Sequence, residues 1–286
     1  MIEKDPGRLK VLARIEENEK NGSFSTTVED DPPTIPLTPD KVDYLNKKLS
    51  NKIATYFVNK VAKRFICNLV KNGTMRIKAI NGIENYEAVK DKGLIITCNH
   101  FNPFDNFAIH YALFPYMYKR GAKVLYKVIR EGNFTNFPGL YGFFFRHCNT
   151  LPLSSNFSTM KKFMDAVKVL LARGEQILIY PEQEMWWNYR KPRPMEKGAY
   201  RFAAFSNVPV LPILITMNDT DEIGPDGFPV QEYTINIHKA IYPDPAKNPK
   251  ENMDYLRRQN YQVWKETYEK FYGIPLTYSC GSVTFD

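Results

Sequence analysis

From residue 75 onward the chain alternates short apolar runs with helix-spaced stretches, and this alternation constrains the fold more than any other feature. Residues 75–80 alternate as a strand does, and Gly82 turns the chain. Residues 93–97 (GLIIT) read as a buried strand, 105–116 as a helix and 122–128 as a strand. A helix over 158–172 ends at Arg173-Gly174, and 176–180 (QILIY) is a strand closed by Pro181. A helix over 196–205, strands over 208–216 and 233–238, and a helix over 249–271 that stops at Gly273 complete the series. Strands separated by helices predict an α/β fold, a central mixed, mostly parallel sheet covered by helices. Pro209 and Pro212 cannot donate to a ladder, so the strand that holds them is expected at an edge or a bulge.

Two segments precede this pattern. Residues 1–38 read as an N-terminal arm or linker. A short helix over 1–20 places Leu9, Leu12 and Ile15 at helical spacing, and a polar stretch follows that Pro32, Pro33 and Pro36 keep extended. Residues 39–72 read as a basic amphipathic helical segment. Thr38-Pro39-Asp40 is a plausible start, and Val42, Leu45, Leu49, Ile53, Phe57, Val61, Phe65 and Leu69 follow three- and four-residue steps. Eight Lys or Arg there face two Asp, whereas the first 38 residues hold five against eight acids. Such a helix suits an anionic membrane surface; it also suits a helix packed on the domain with a solvated basic face.

Composition removes several classes. With 24% charged and 14% aromatic residues in 286, the chain is neither disordered nor of low complexity. Cys67, Cys98, Cys148 and Cys280 lie far apart, at neither zinc nor redox spacing, so reduced thiols and no metal are expected. No apolar run reaches the ~18–20 residues of a membrane span, and the charged N-terminus lacks a signal-peptide core. A cytoplasmic protein, peripheral on the inner face of the membrane, is the expectation. The net charge of +8 calls for an anionic partner, but no nucleic-acid motif accompanies it and the excess concentrates on one helical segment, so no nucleic acid is expected.

The chemistry-bearing residues follow strand ends, where ligand groups gather in α/β sheets. The 93–97 strand runs into Cys98-Asn99-His100-Phe101-Asn102-Pro103-Phe104-Asp105. Across a turn of five residues, Asp105 can hold one imidazole nitrogen of His100 and leave the other as a base. The bare spacing is better matched by a His bonded to a loop, with Asp105 as a helix cap. Tyr180-Pro181-Glu182 follows a second strand, and Glu182 is placed to bind a substrate hydroxyl or to sit near His100.

In this order the segments resemble the glycerolipid (lysophospholipid) acyltransferase family. Its four blocks are Asn-His followed by four residues and Asp; a middle block with an Arg; Phe-Pro-Glu-Gly-Thr-Arg; and Val-Pro-x-x-Pro-Ile. Here they stand as Asn99-His100…Asp105, a degraded Thr150-Leu151-Pro152-Leu153-Ser154-Ser155, Tyr180-Pro181-Glu182, and Val208 to Ile213. The resemblance covers about residues 75–240 and implies an acyltransferase-like α/β domain over 73–286. It implies His100 and Asp105 as catalytic residues, with Asn99, Lys127, Glu182 and Gln183 as substrate-binding candidates. It also implies an acyl donor, acyl-CoA or acyl carrier protein, a lysolipid acceptor and no further cofactor.

Two departures concern the acceptor. Ser stands where the middle block has Arg, and Gln183-Glu184-Met185 replaces Gly-Thr-Arg. The family associates both Arg with the acceptor's phosphate, and neither Ser nor Met supplies a bidentate fork. Lys127, Arg130, Arg146, Arg190 and Arg193 are the substitute cations, and Glu184 suggests a cationic headgroup. The aromatic run 133–145 is expected in the core. Trp186 and Trp187, which cannot easily both be buried, are expected on a binding surface. The leading expectation is acyl transfer from a thioester to a lysolipid hydroxyl with His100 as base. The alternative is a non-catalytic lipid-binding protein on the same fold. An esterase would need a Gly-x-Ser-x-Gly elbow, which is missing.

Overall fold

The computed structural model of the chain describes residues 2–117, 119 and 121–281. Helix α1, Pro6–Lys20, starts where the Asp5 side chain accepts from the Arg8 N–H and Pro6 presets the first turn. Its inward face is Val11 and Ile15, while Leu9 of the expected face is exposed. Residues 21–38 hold no helix or strand, and Phe24, Val28 and Leu37 insert into the domain.

The helix expected from Pro39 begins ten residues later. Pro39–Lys41 makes one 3-10 turn, Thr38 gives no side-chain cap, and Val42 is extended. Val42 and Tyr44 are drawn into the core, and the Tyr44 hydroxyl donates to the Pro152 carbonyl. Asp43 then accepts from Lys48 N, and α2 runs over Leu49–Lys71. Core insertion has overridden local helix preference here.

The rest follows the predicted alternation: β1 (Arg76–Asn81), α3 (Ile83–Glu87), β2 (Leu94–Cys98), α4 (Phe104–Met117), β3 (Leu125–Ile129), α5 (Glu131–Thr135), α6 (Gly139–His147), β4 (Thr150–Pro152), α7 (Phe157–Ala172), β5 (Gln176–Ile179), α8 (Gly198–Ser206), β6 (Val210–Ile223), β7 (Pro229–Ile237) and α9 (Pro249–Tyr272). The strands form one sheet in the order β1-β7-β6-β2-β5-β3-β4. Every pairing is parallel except β6 with β7. The fold is therefore α/β with a mixed, mostly parallel sheet, as the alternation predicts.

Side chains leave the buried strands alternately to the two faces. Ile95, Ile177 and Val210 join α7, α8 and α9 in one core. Leu94, Ile96, Leu178 and Leu211 join α2, α3 and α4 in the other. β6 is interior, not an edge, which corrects the reading from its prolines. β7 joins it only from Ile213, and the Pro212 carbonyl still accepts from His238 N. The missing N–H thus faces the point where that ladder starts and costs no rung.

Candidate active site

β2 and β5 are neighbours in the sheet, so the residues that leave their carboxyl ends meet. The His100 Nδ1 lies 2.8 Å from Asp105 Oδ2. An ionised carboxylate can only accept, so in a neutral imidazole this contact puts the hydrogen on Nδ1 and the lone pair on Nε2. Asp105, fully buried at the start of α4, also accepts on Oδ2 from Phe101 N at 3.1 Å and Asn102 N at 3.3 Å. His100 retains 23% side-chain exposure. Asn102 sets the loop: its Oδ1 accepts from Phe104 N, and its Nδ2 donates to Tyr233 Oη and Asn188 Oδ1.

From β5, Tyr180 stacks its ring on the imidazole at 4.1 Å between centroids and donates its hydroxyl to Asp105 Oδ1 at 2.7 Å. Glu182 comes to His100 through the backbone: Oε2 accepts from His100 N at 2.9 Å. The same carboxylate accepts from Arg193 N and pairs with the Arg193 guanidinium at 3.2 Å, both side chains sealed from solvent. Of the two roles open to Glu182, the geometry fits the one beside His100. Residues 186–188 complete the frame, Trp186 N donating to the His100 carbonyl and Asn188 N to that of Phe101.

The other predicted site residues lie further out. Asn99 is spent on β6, donating to the Ile215 carbonyl and accepting from Ile215 N. Lys127 is buried on β3, beside Leu178, and burial pushes its pKa down. Gln183 is exposed, with a left-handed φ of +63°. Its N–H and that of Glu184 close a turn on the Tyr180 and Glu182 oxygens, so neither remains for an oxyanion. Among the described residues no three His, Cys, Asp or Glu side chains converge as a metal would require.

The four arginines among the substitute cations are engaged. Arg193 lies over the Trp186 ring and also donates to the Phe24 carbonyl. Arg130 bridges Asp31 and Glu184, and Arg190 pairs with Asp219. Arg146 reaches the backbone carbonyls of Phe134 and Phe137. In the middle block, the Ser154 hydroxyl donates to Glu131, which also accepts from Leu37 N and Ser155 N.

The aromatic expectations exchange places. Trp186 and Trp187 are both buried, because α1 and the strap behind it cover them. Phe24 stacks on Trp186, the Trp186 indole donates to the Thr26 carbonyl, and Arg8 lies over Trp187. Along 133–145, by contrast, only Phe134 of the aromatics is buried, and Phe137, Leu140, Tyr141 and Phe143 are exposed. The run lies on the two short helices α5 and α6 and the turn that joins them.

Residues 79–216 match the model of the Acyltransferase family. The structure is similar to the crystal structure of the 1-acyl-sn-glycerophosphate (LPA) acyltransferase PlsC from Thermotoga maritima. The TM-score is 0.53 at 21% sequence identity, over 81% of this chain and 86% of that one. Compared by sequence with curated proteins, the chain matches none.

Proposed function

We propose, from the match of residues 79–216 to the Acyltransferase family model, that the chain moves an acyl group from a thioester, acyl-CoA or an acyl carrier protein, to the hydroxyl of a lysolipid-type acceptor. One observation carries the reading: an imidazole held through Nδ1 by a buried carboxylate, with Nε2 open at the carboxyl edge of a parallel sheet. The acceptor hydroxyl gives its proton to Nε2 as its oxygen bonds to the thioester carbonyl carbon. The tetrahedral intermediate then collapses, the C–S bond breaks, and the imidazolium returns the proton to the leaving thiolate. Asp105 stays ionised and stabilises the imidazolium.

The acceptor headgroup in this proposal is not a phosphate monoester. The Arg130 charge is met by Asp31 and Glu184, Arg193 is sealed with Glu182, and Ser154 faces Glu131. Those carboxylates would repel a dianion. The domain is proposed to work on an anionic membrane surface, through the exposed apolar row of α2 and the neighbouring α6.

The test is an acyl-transfer assay with both donor types and a panel of lysolipid acceptors, with and without phosphate, read by mass. His100→Ala is expected to reduce turnover by about 10²–10⁴-fold, the range for a general base. Full activity in His100→Ala would sink the mechanism, and preferred acylation of lysophosphatidate would sink the acceptor class.

A further inference from the structure

We infer that Tyr180 is the positioning residue of the acyl-transfer pair, one side chain that orients both the carboxylate of Asp105 and the imidazole of His100. The inference rests on the proposed function only for its kinetic arm.

The two oxygens of Asp105 are held differently. Oδ2 takes His100 Nδ1 and two backbone N–H groups, which are fixed by the chain. Oδ1 takes the Tyr180 hydroxyl at 2.7 Å. The terminal torsion of an aspartate has a broad energy profile, so a second anchor is what sets the carboxylate plane. The ring attached to that hydroxyl lies 4.1 Å from the imidazole centroid, at 21° to its plane. The hydroxyl therefore aims the carboxylate while the ring keeps the imidazole from tilting off it. Burial and the Asp105 charge raise the Tyr180 pKa well above its ordinary value, so the phenol remains a donor throughout the working pH range.

The hydroxyl also draws on the charge that Asp105 presents to His100. A carboxylate that loses a donor is a stronger acceptor, and it holds the imidazolium more tightly. The other groups facing the pair are Glu182 on the His100 N–H, Arg193 on its carbonyl and the buried Cys98, which feels the charges of Asp105 and Glu182. None of them contacts the Asp105 oxygens by a hydrogen bond among those described.

Tyr180→Phe keeps the stacked ring and removes the hydroxyl; Tyr180→Leu removes both. Nitrogen-15 imidazole titration by NMR follows His100 among only four histidines. In Tyr180→Phe its midpoint is expected to rise, with the acid limb of kcat/KM moving alongside. Turnover should fall roughly three- to tenfold with KM within about twofold, and Tyr180→Leu should fall further. An unchanged midpoint in folded Tyr180→Phe overturns the inference. A shifted midpoint in a protein that transfers no acyl group to any acceptor would leave the positioning intact and reject the proposed function instead.

Discussion

At the scale of single residues, the site depends on carboxylates whose partners come from distant segments. Glu182 has both oxygens committed, to His100 N and to the Arg193 backbone and guanidinium, inside a dry contact with Trp186. Removing one member of such a pair leaves the other charged and buried, at a cost of about 3–5 kcal/mol. Glu182→Ala is therefore expected to lower the chemical-denaturation midpoint sharply, whereas Gln183→Ala next to it should leave stability within about 0.5 kcal/mol. Equal midpoints for the two variants would contradict the clamp. The sequence already showed the His100–Asp105 spacing and placed Glu182 after a strand, because both follow from where buried strands stop. It could not show that Asn99 bonds to Ile215 or that Arg193 reaches Glu182, since those contacts depend on which strands and loops become neighbours. Tyr180 was visible as the last residue of an apolar run, but the target of its hydroxyl lies 75 positions away.

At the scale of elements, strands and helices were legible wherever burial and period agreed. β2, β5, α7 and α9 fall within a residue or two of their expected limits, since full burial leaves an apolar run and capping residues end a helix. Pattern alone does not tell which way an apolar row faces. The row Leu49, Ile53, Phe57, Val61 and Phe65 of α2 points to solvent, and the helix is tied to the domain through Val58 and Ile66. Lys52, Lys60 and Arg64 are exposed along the same helix, and α6 beside it exposes Leu140 and Tyr141. Apolar side chains flanked by cations are what a helix lying in an anionic interface presents. The double variant Ile53→Asp/Phe57→Asp is expected to weaken binding to phosphatidylglycerol vesicles by at least about tenfold, since each side chain gives up roughly 1.5–3 kcal/mol of burial. Thermal stability should hardly move, because neither residue contributes to the core. Undiminished co-sedimentation with vesicles would mean that α2 is not the docking element.

At the scale of the whole molecule, the N-terminal segment and the sheet are one packing unit. Glu19 of α1 accepts from Tyr189, Lys191 and Ser279 N, so the loop that follows the third block and the chain's last described turns close on the same carboxylate. That integration makes the response to acid global, and two windows separate by sign. Burial pushes the pKa values of His110, His147 and His238 down, that of His110 well below the ordinary value with Lys127 adding to the effect. Below about pH 6.5 the unfolded chain takes up protons that these folded histidines refuse, so stability is lost as pH falls from there. Glu19, Asp43, Glu131 and Asp219 have lowered pKa values, held down by hydrogen bonds and ion pairs that outweigh burial. Their contribution is present above the unfolded carboxylate values and is lost only as pH falls below about 4.5. Denaturation free energy should therefore begin to decline between about pH 6.5 and 5, before these four carboxylates contribute. His110, on α4, is the most deeply buried of the three histidines. In His110→Gln, urea midpoints measured across that window should lose the slope of one proton, about 1.4 kcal/mol per pH unit, while the decline below pH 4.5 stays. If the slope above pH 5 is the same in His110→Gln as in the unsubstituted chain, His110 is protonated in the folded state and the early acid loss belongs to other groups.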